Sequence, residues 1–333
     1  VSRTLTVGLL GAGLIAGVHA RAYRVDPGVR LVAVADPAAG KADRLAREHG
    51  AEVVDGVTGL LDAGVDVVDV CTPPTAHAEA TITALDAGRH VICEKPLTRT
   101  MEEGRRVVRA AERAPGLLMV GHAARFEPDH RTARDVAVSG RIGEVRMVTH
   151  STASALPGWS EAGWLADPTV SGGPLLDQAV HAFDYARWLV GSPAVRVTCM
   201  AADSGAGPRT YTLTTVRYRN GALAHVECSW AHPAGRGFKL GCEVVGTAGR
   251  VAWSYDHLMG GVLHPRDGDA EWFDVLADRG FTSELAAFFA AVRQGGPSPV
   301  PAAEALEALH TALGALESAR TGRSVDLTSW ERT

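Results

Sequence analysis

The sequence predicts an α/β fold in two parts: a doubly wound parallel sheet over residues 1–122, then an α+β domain with a large, mainly antiparallel open sheet over residues 123–333. Three observations predict it. Apolar strand-like runs alternate with helical patterns as far as Val120, the pattern of parallel strands joined by helical crossovers. From residue 195 onward strand follows strand, punctuated by tight-turn signals. A chain of 333 residues, 46% hydrophobic and only 21% charged, is globular and long enough for two cores.

Leu5–Leu10 is a continuous apolar run ended by glycine, which reads as a buried strand. A helix over Leu14–Val25 follows, then a second buried strand at Leu31–Ala35. Lys41–His49 reads as a helix with Gly50 as its left-handed terminator. Next come a strand at Val65–Cys71, a helix over Thr75–Ala87 closed by Gly88, and a strand at His90–Cys93. Thr100 and Glu103 form a capping box for a helix running to Glu112, and Leu117–Val120 is the last strand of the set. Beyond it, Pro128–Ser139 reads as a helix stopped by Gly140, and Glu144–Thr152 as a strand. Ala222, Ala224, Val226, Cys228 and Trp230 alternate with Leu223, His225, Glu227 and Ser229, so this strand buries one face and shows a mostly polar one. Asn220-Gly221 marks a tight hairpin. Phe281–Gln294 and Ala302–Arg320 close the chain as helices.

Composition excludes several classes of partner. A net charge of −5 and a pI near 6.2 leave no basic face for a nucleic acid. No basic run addresses an anionic membrane, and no stretch is long and apolar enough to span one. Arg3, the apolar run from Leu5 to Val18 and Ala20-Arg21-Ala22 imitate a secretory leader, but the spaced glycines and the strand-helix pattern make them the first βα unit. Cys71, Cys93, Cys199, Cys228 and Cys242 contain no C-x-x-C pair and lie mostly in apolar runs. They read as reduced, buried thiols of a cytoplasmic protein, with neither a disulfide framework nor a metal site.

Gly11-Ala12-Gly13-Leu14-Ile15-Ala16 follows the first strand and opens the first helix. Gly11 permits a tight turn, Gly13 lets backbone approach a pyrophosphate, and small Ala16 permits close helix–strand packing. The helix N-terminus would carry the phosphates. Asp36 ends the second strand 20 residues after Ala16, placed to accept both hydroxyls of an adenosine ribose and to repel a 2′-phosphate. That pattern points to NAD(H) ahead of NADP, with Lys41 and Arg44 close enough in sequence to keep NADP open.

Two further strings carry chemistry. Cys93-Glu94-Lys95-Pro96 lies just past a strand's carboxyl end, where an open parallel sheet faces its ligand. In the run Gly172 to Asp184, Pro174 suits a first helical turn and puts Asp177 and His181 four apart on one helix face. The carboxylate can then orient an imidazole that titrates near neutral pH. Asp184 reads as a structural partner.

The strings GAGLIA at 11–16, VADP at 34–37, CTPPTAHAEA at 71–80, AGRHVICEKPL at 87–97, GHAARFEPDHR at 121–131 and SGGPLLDQAVHAFDYARWLVG at 171–191 occur together and in order. They resemble the Gfo/Idh/MocA family of oxidoreductases, which includes glucose–fructose oxidoreductase and inositol dehydrogenases. The resemblance implies a Rossmann domain followed by a domain whose open sheet mediates homodimers or homotetramers. It implies NAD(H)-dependent interconversion of a secondary alcohol and a ketone on a sugar, cyclitol or related polyol. By the same resemblance Lys95 touches substrate and the nicotinamide ribose, His181 gives or takes a proton, and Asp177 binds substrate hydroxyls. Cys71, Thr72, Pro73 and His77 match the loop along the cofactor, Glu94 precedes the lysine, and Arg125 lies near the nicotinamide end. The loop at 150–170 can line a sugar site. Of His150, Trp159, Glu161, Trp164 and Asp167, Trp164 is the substrate candidate, with His225 and Tyr255 weaker ones. Pro174 departs from the family's usual third glycine. Two rivals share these motifs: a redox-assisted, NAD-dependent glycosidase, and a non-catalytic regulator that binds dinucleotide and sugar.

Overall fold

The structure, a computed structural model, describes residues 3–156, 161–203, 210–232, 238–255, 260–263, 271–274 and 280–330. The chain forms two compact units. The first comprises Val1–Phe126, Trp159–Trp164 and Arg279–Leu306; the second comprises Glu127–Gly158, Leu165–Asp278 and Glu307–Thr333. Both units are therefore discontinuous in sequence, whereas periodicity alone suggests a single division at 122/123.

The first unit is built on a six-stranded sheet in the order β3-β2-β1-β4-β5-β6, every pair parallel. Its elements are β1 Leu5–Leu10, α1 Leu14–Tyr23, β2 Val29–Ala35, α2 Ala39–His49, β3 Glu52–Val53, α3 Gly56–Asp62, β4 Val67–Val70, α4 His77–Asp86, β5 His90–Glu94, α5 Met101–Arg113 and β6 Leu118–Gly121. The strand order reverses between β1 and β4, which makes the crevice where doubly wound sheets bind ligands. The centre of β4 and β5 is wholly buried, as an apolar run covered on both faces must be. Both halves of the Thr100–Glu103 capping box are present, and Gly50 ends α2 in the left-handed conformation. Two elements differ from expectation. The sequence pattern passes over β3 and α3, which are too short to show a period. The helix expected from Thr75 begins at His77, because a short 3-10 turn at Pro74–Ala76 precedes it.

The second unit contains α6 Pro128–Val138, β7 Val145–Ala153, α7 Pro168–Ser171, α8 Gly173–Asp177, α9 Ala179–Val190, β8 Ala194–Ala202, β9 Tyr211–Tyr218, β10 Leu223–Ser229, β11 Lys239–Gly246, β12 Gly249–Tyr255, β13 Gly260–Leu263 and β14 Glu271–Asp274. The chain closes with α10 Phe281–Gln294, α11 Ala302–Thr321 and β15 Val325–Asp326. Seven strands form one sheet in the order β12-β11-β7-β10-β9-β8-β15, and only the β7–β10 pair is parallel. The alternation along β10 holds as far as Cys228, with Ala224, Val226 and Cys228 buried and His225 exposed, but fails at Ser229, expected on the polar face and in fact buried, its hydroxyl accepting the Ala231 N–H at 3.0 Å. Asn220-Gly221 makes the expected hairpin, with Gly221 at φ +88°. Among the described residues no helix is long and apolar enough to cross a membrane.

One expectation is corrected. The run from Gly173 to Val190 is two helices, not one, and the break falls at Gln178, between Asp177 and His181. Gln178 is the turn residue between them, in the right-handed region but stretched to φ −107° and ψ −50°. Its side-chain oxygen lies 3.3 Å from the Cys228 sulfur, which also reaches the Pro174 carbonyl at 3.5 Å. A residue of β10 thus braces the joint.

Candidate functional site

The carboxyl ends of β1, β2, β4 and β5 gather most of the sequence-predicted residues of the first unit. Gly11 has φ +99°, and a Cβ there would meet the Cys71 carbonyl oxygen at 2.6 Å, so both the turn and the close approach to β4 demand glycine. Gly13 is different: a Cβ would meet nothing within 4 Å. It is the N-cap of α1, whose start has no side-chain cap and is exposed at Gly13 and Leu14, so no side chain takes up the first N–H groups of the helix there. Asp36 braces this loop. Its Oδ2 accepts the Ala12 N–H at 2.8 Å and its Oδ1 accepts the Ala38 N–H at 2.7 Å. Ile15 is half-buried and Ala12 is buried.

Thr72 follows β4 and Pro73 stands exposed beside it. The Thr72 hydroxyl is buried with no hydrogen-bond partner. His77 opens α4 beside this loop and turns its ring inward. It is fully buried, Nδ1 lies 2.9 Å from the Pro96 carbonyl and Nε2 lies 2.9 Å from the Thr72 carbonyl. Both ring nitrogens are spent on tying the 71–73 loop to the Lys95-Pro96 turn. Burial opposes charge on this ring, yet Cys93 and the two carbonyls outweigh it and raise its pKa to about 9.

Glu94 ends β5 and turns inward, while Lys95 is half-buried. The Lys95 backbone N–H donates to Glu94 Oε2 at 3.1 Å. Glu94 Oε1 lies 3.3 Å from His19 Nε2. His19 Nδ1 lies 2.8 Å from Asp69 Oδ2, the oxygen that also accepts the Tyr23 hydroxyl. The Cys71 thiol reaches Asp69 Oδ1 at 3.5 Å. Burial penalises the Glu94 carboxylate, but His19, Lys95 and His77 together hold its pKa below the usual range. Burial likewise resists charge on His19, and Asp69 more than compensates, raising its pKa well above the ordinary value. Burial pushes the Cys71 thiol up, so it stays protonated. Sequence reasoning missed His19, Asp69 and Tyr23. The one available signal was a carboxylate in the middle of the apolar run of β4.

Arg125 is only 4% exposed and pairs with Glu304 at 2.7 Å. In the second unit Asp177 ends α8 and His181 lies in the first turn of α9, both half-buried on either side of the Gln178 joint. Gly172 and Gly173, both at positive φ, turn the chain into α8, and Pro174 stands in its first turn. Asp184 is fully buried. Trp164 is half-buried in a short 3-10 turn at Glu161–Ala166. The remaining weaker candidates are dispersed. Asp167 is occupied in capping α7, accepting from Thr169 N and Oγ1. His150 points into the core, His225 stands on the outer sheet face, and Tyr255 packs its ring 5.3 Å from that of Trp253. Trp159 lies outside the described residues.

Comparison with known proteins adds the following. Residues 5–122 match the model of an oxidoreductase family with an NAD-binding Rossmann fold, and residues 130–252 match the GFO/IDH/MocA C-terminal domain. Inositol 2-dehydrogenase of Rhizobium meliloti is 31% identical over 335 residues, covering 97% of this chain and 99% of that protein. D-glucoside 3-dehydrogenase of Escherichia coli is 32% identical over 252 residues, covering 69% of this chain and 71% of that one. The crystal structure of GenD2 from gentamicin A biosynthesis, in complex with NAD, matches with a TM-score of 0.86 at 28% identity, covering 98% of this chain and 97% of that chain.

Proposed function

The chain belongs to the Gfo/Idh/MocA oxidoreductase family, and on that premise we propose that it is an NAD(H)-dependent dehydrogenase or reductase that interconverts a secondary alcohol and a ketone on a cyclitol, sugar or related polyol. The observation that carries this reading is the end-to-end similarity to an inositol dehydrogenase in a chain that carries Lys95, Asp177 and His181 in the motifs described.

The residues at the carboxyl edge of the first sheet fit a dinucleotide. The uncapped start of α1 and the space over Gly13 suit a pyrophosphate, and the buried Thr72 hydroxyl has hydrogen-bonding capacity to offer. Asp36 uses one lone pair of each oxygen on backbone, which leaves others for ribose hydroxyls and sets a negative charge against a 2′-phosphate. This favours NAD over NADP. When bound, the nicotinamide supplies the redox chemistry. The protein's share is proton handling and charge. In the oxidising direction His181 takes the hydroxyl proton, Asp177 holds a substrate hydroxyl, and the Lys95 ammonium stabilises the alkoxide-like oxygen. Arg125 lies at the nicotinamide end, and Trp164 offers an aromatic face to the sugar. The outer face of the seven-stranded sheet exposes Met147 and Met200, the latter at 67%, and serves as the contact of a homodimer or homotetramer.

NADH absorbance, followed with purified protein, NAD and a panel of inositols, hexoses and their acids, tests the reading. Turnover names the substrate class. Sugar cleavage without a net change in NADH would mark the redox-assisted glycosidase instead. NAD binding with no chemistry on any polyol or keto-sugar would mark a regulator.

A further inference from the structure

We infer that His19 and Asp69 are positioning residues for Lys95, acting through Glu94 to fix the strand end that carries the lysine. The inference rests on the reading that Lys95 is a catalytic residue. Its basis is a continuous path of polar contacts inside the first unit. The Lys95 N–H is held by one oxygen of Glu94, the other oxygen faces His19, and the far nitrogen of His19 is held by Asp69. Tyr23 and Cys71 then hold the two oxygens of Asp69. Exposure along the path is 0% for His19 and Asp69, 2% for Tyr23 and 6% for Glu94.

Such a path is costly. Two carboxylates and an imidazolium taken out of water lose several kcal/mol of hydration each, and an apolar replacement of the same shape is commonly as stable or more so. The surrounding sheet is otherwise apolar, so core packing gives no reason for the charges. Geometry gives one. Each ring nitrogen of His19 faces a carboxylate, which makes the ring a cationic strut between β4 and β5 and fixes both its tilt and its protonation. Room for the strut is kept deliberately small. A Cβ at Gly121 would come within 2.8 Å of Glu94 Oε1, and Phe281 of α10 packs its ring 5.6 Å from that of His19. Asp69 of β4 and Cys71 just after it face His19, Glu94 faces it from β5, Tyr23 of the same helix binds Asp69, and Phe281 brings no charge. His19, Asp69 and Cys71 have metal-ligating side chains within 4.8 Å of one another, but His19 Nδ1, the two Asp69 oxygens and the Cys71 thiol are engaged with one another or with Tyr23.

The experiment uses the full chain and four variants: His19→Leu, His19→Gln, Glu94→Gln and the double variant His19→Leu/Glu94→Gln. Three readouts are taken: kcat against pH on the polyol that gives turnover in the NADH assay, the Kd of NAD, and ring ¹⁵N NMR of histidine in the cofactor-free protein. In the wild type the two ring nitrogens of His19 should both stay protonated through neutral pH. His19→Leu should lower kcat by roughly 10-fold or more while the NAD Kd moves less than about 3-fold. It should also create an acid limb in the kcat profile, because Glu94 without its cation titrates nearer neutrality. The double variant should lose that limb and be no slower than His19→Leu. His19→Gln, which keeps a donor but no titratable charge, should recover part of kcat, and it carries the test if the leucine variant does not fold. A neutral His19 ring at neutral pH, or variants that are less stable but keep the wild-type kcat and profile, would overturn the inference. Full turnover in Lys95→Ala would instead overturn the functional reading beneath it.

Discussion

Two buried histidines, one in each unit, meet opposite surroundings. His19 has a carboxylate oxygen within 3.3 Å of each ring nitrogen, and its pKa rises. His150, on the inner face of the second sheet, has the rings of His130, Tyr185 and Trp253 at 5.9, 6.3 and 6.5 Å, and a Thr152 hydroxyl 3.3 Å from Nδ1. Burial first, then the neighbouring His130, lowers its pKa to about 3. Equal burial therefore gives a cation in one unit and a neutral aromatic plate in the other, and the neighbours decide which. The first unit lets buried charge reach the backbone of Lys95. The second lets its buried ring serve packing.

The largest expected effect tests the functional side of that contrast. Lys95→Ala should slow turnover by roughly 10²–10⁴, the range a well-placed acid–base or charge-stabilising group contributes. The NAD Kd should change only a few-fold, and the urea midpoint should stay put, since Lys95 is half-buried at a strand end. His150→Leu should do the reverse, leaving kcat alone and changing how stability responds to pH. Loss of turnover in His150→Leu with Lys95→Ala intact would invert the assignment of the two regions.

The pH dependence of stability sharpens the contrast further, because the two rings act with opposite sign. Above the ordinary histidine value of about 6.5, His150 is neutral in both the folded and unfolded chain, and its share of stability is complete. As pH falls from there toward 3, the unfolded chain takes up a proton that the folded core refuses, and stability is lost. By pH 5 the loss is about 2 kcal/mol. His19 has a raised folded pKa, so its stabilisation is present below about 6.5 and fades as pH rises through the folded value. Urea midpoints measured across acid to alkaline pH should flatten on the acid side in His150→Leu and on the alkaline side in His19→Gln. The same slope in both variants would refute the opposite charge states.

These contrasts mark the limit of what the sequence discloses. The glycine turn, the Thr100 capping box, the Gly50 terminator and the alternation along β10 are legible because each depends on residues close in the chain. His19 and Asp69 are 50 residues apart, and nothing local says that they meet. His77 has the right place in its motif to line a cofactor, but the direction of its ring is set by two carbonyls, one of them 19 residues away. The period from Gly173 to Val190 runs smoothly through Gln178, so the joint there is invisible without β10 behind it. The return of α10 to the first unit is likewise a matter of packing, in which Phe289 meets Tyr23 at 5.9 Å.

The smallest expected effect lies at that joint, and it bears on whether the second unit also reaches its site through buried polar contacts. Cys228 is fully buried, burial keeps its thiol protonated, and the sulfur lies within hydrogen-bond range of the Pro174 carbonyl and Gln178 Oε1. These contacts are neutral and made by a weak donor, so they steady the turn between Asp177 and His181 without fixing any charge. Cys228→Ala should therefore cost about 1 kcal/mol of stability and lower kcat only a few-fold, with the pH profile unmoved. Cys228→Ser, a stronger donor of similar size, should restore most of the rate. A pH profile displaced by Cys228→Ala as far as by His19→Leu would show that neutral bracing and charged bracing do the same work, and the distinction between the two units would fall.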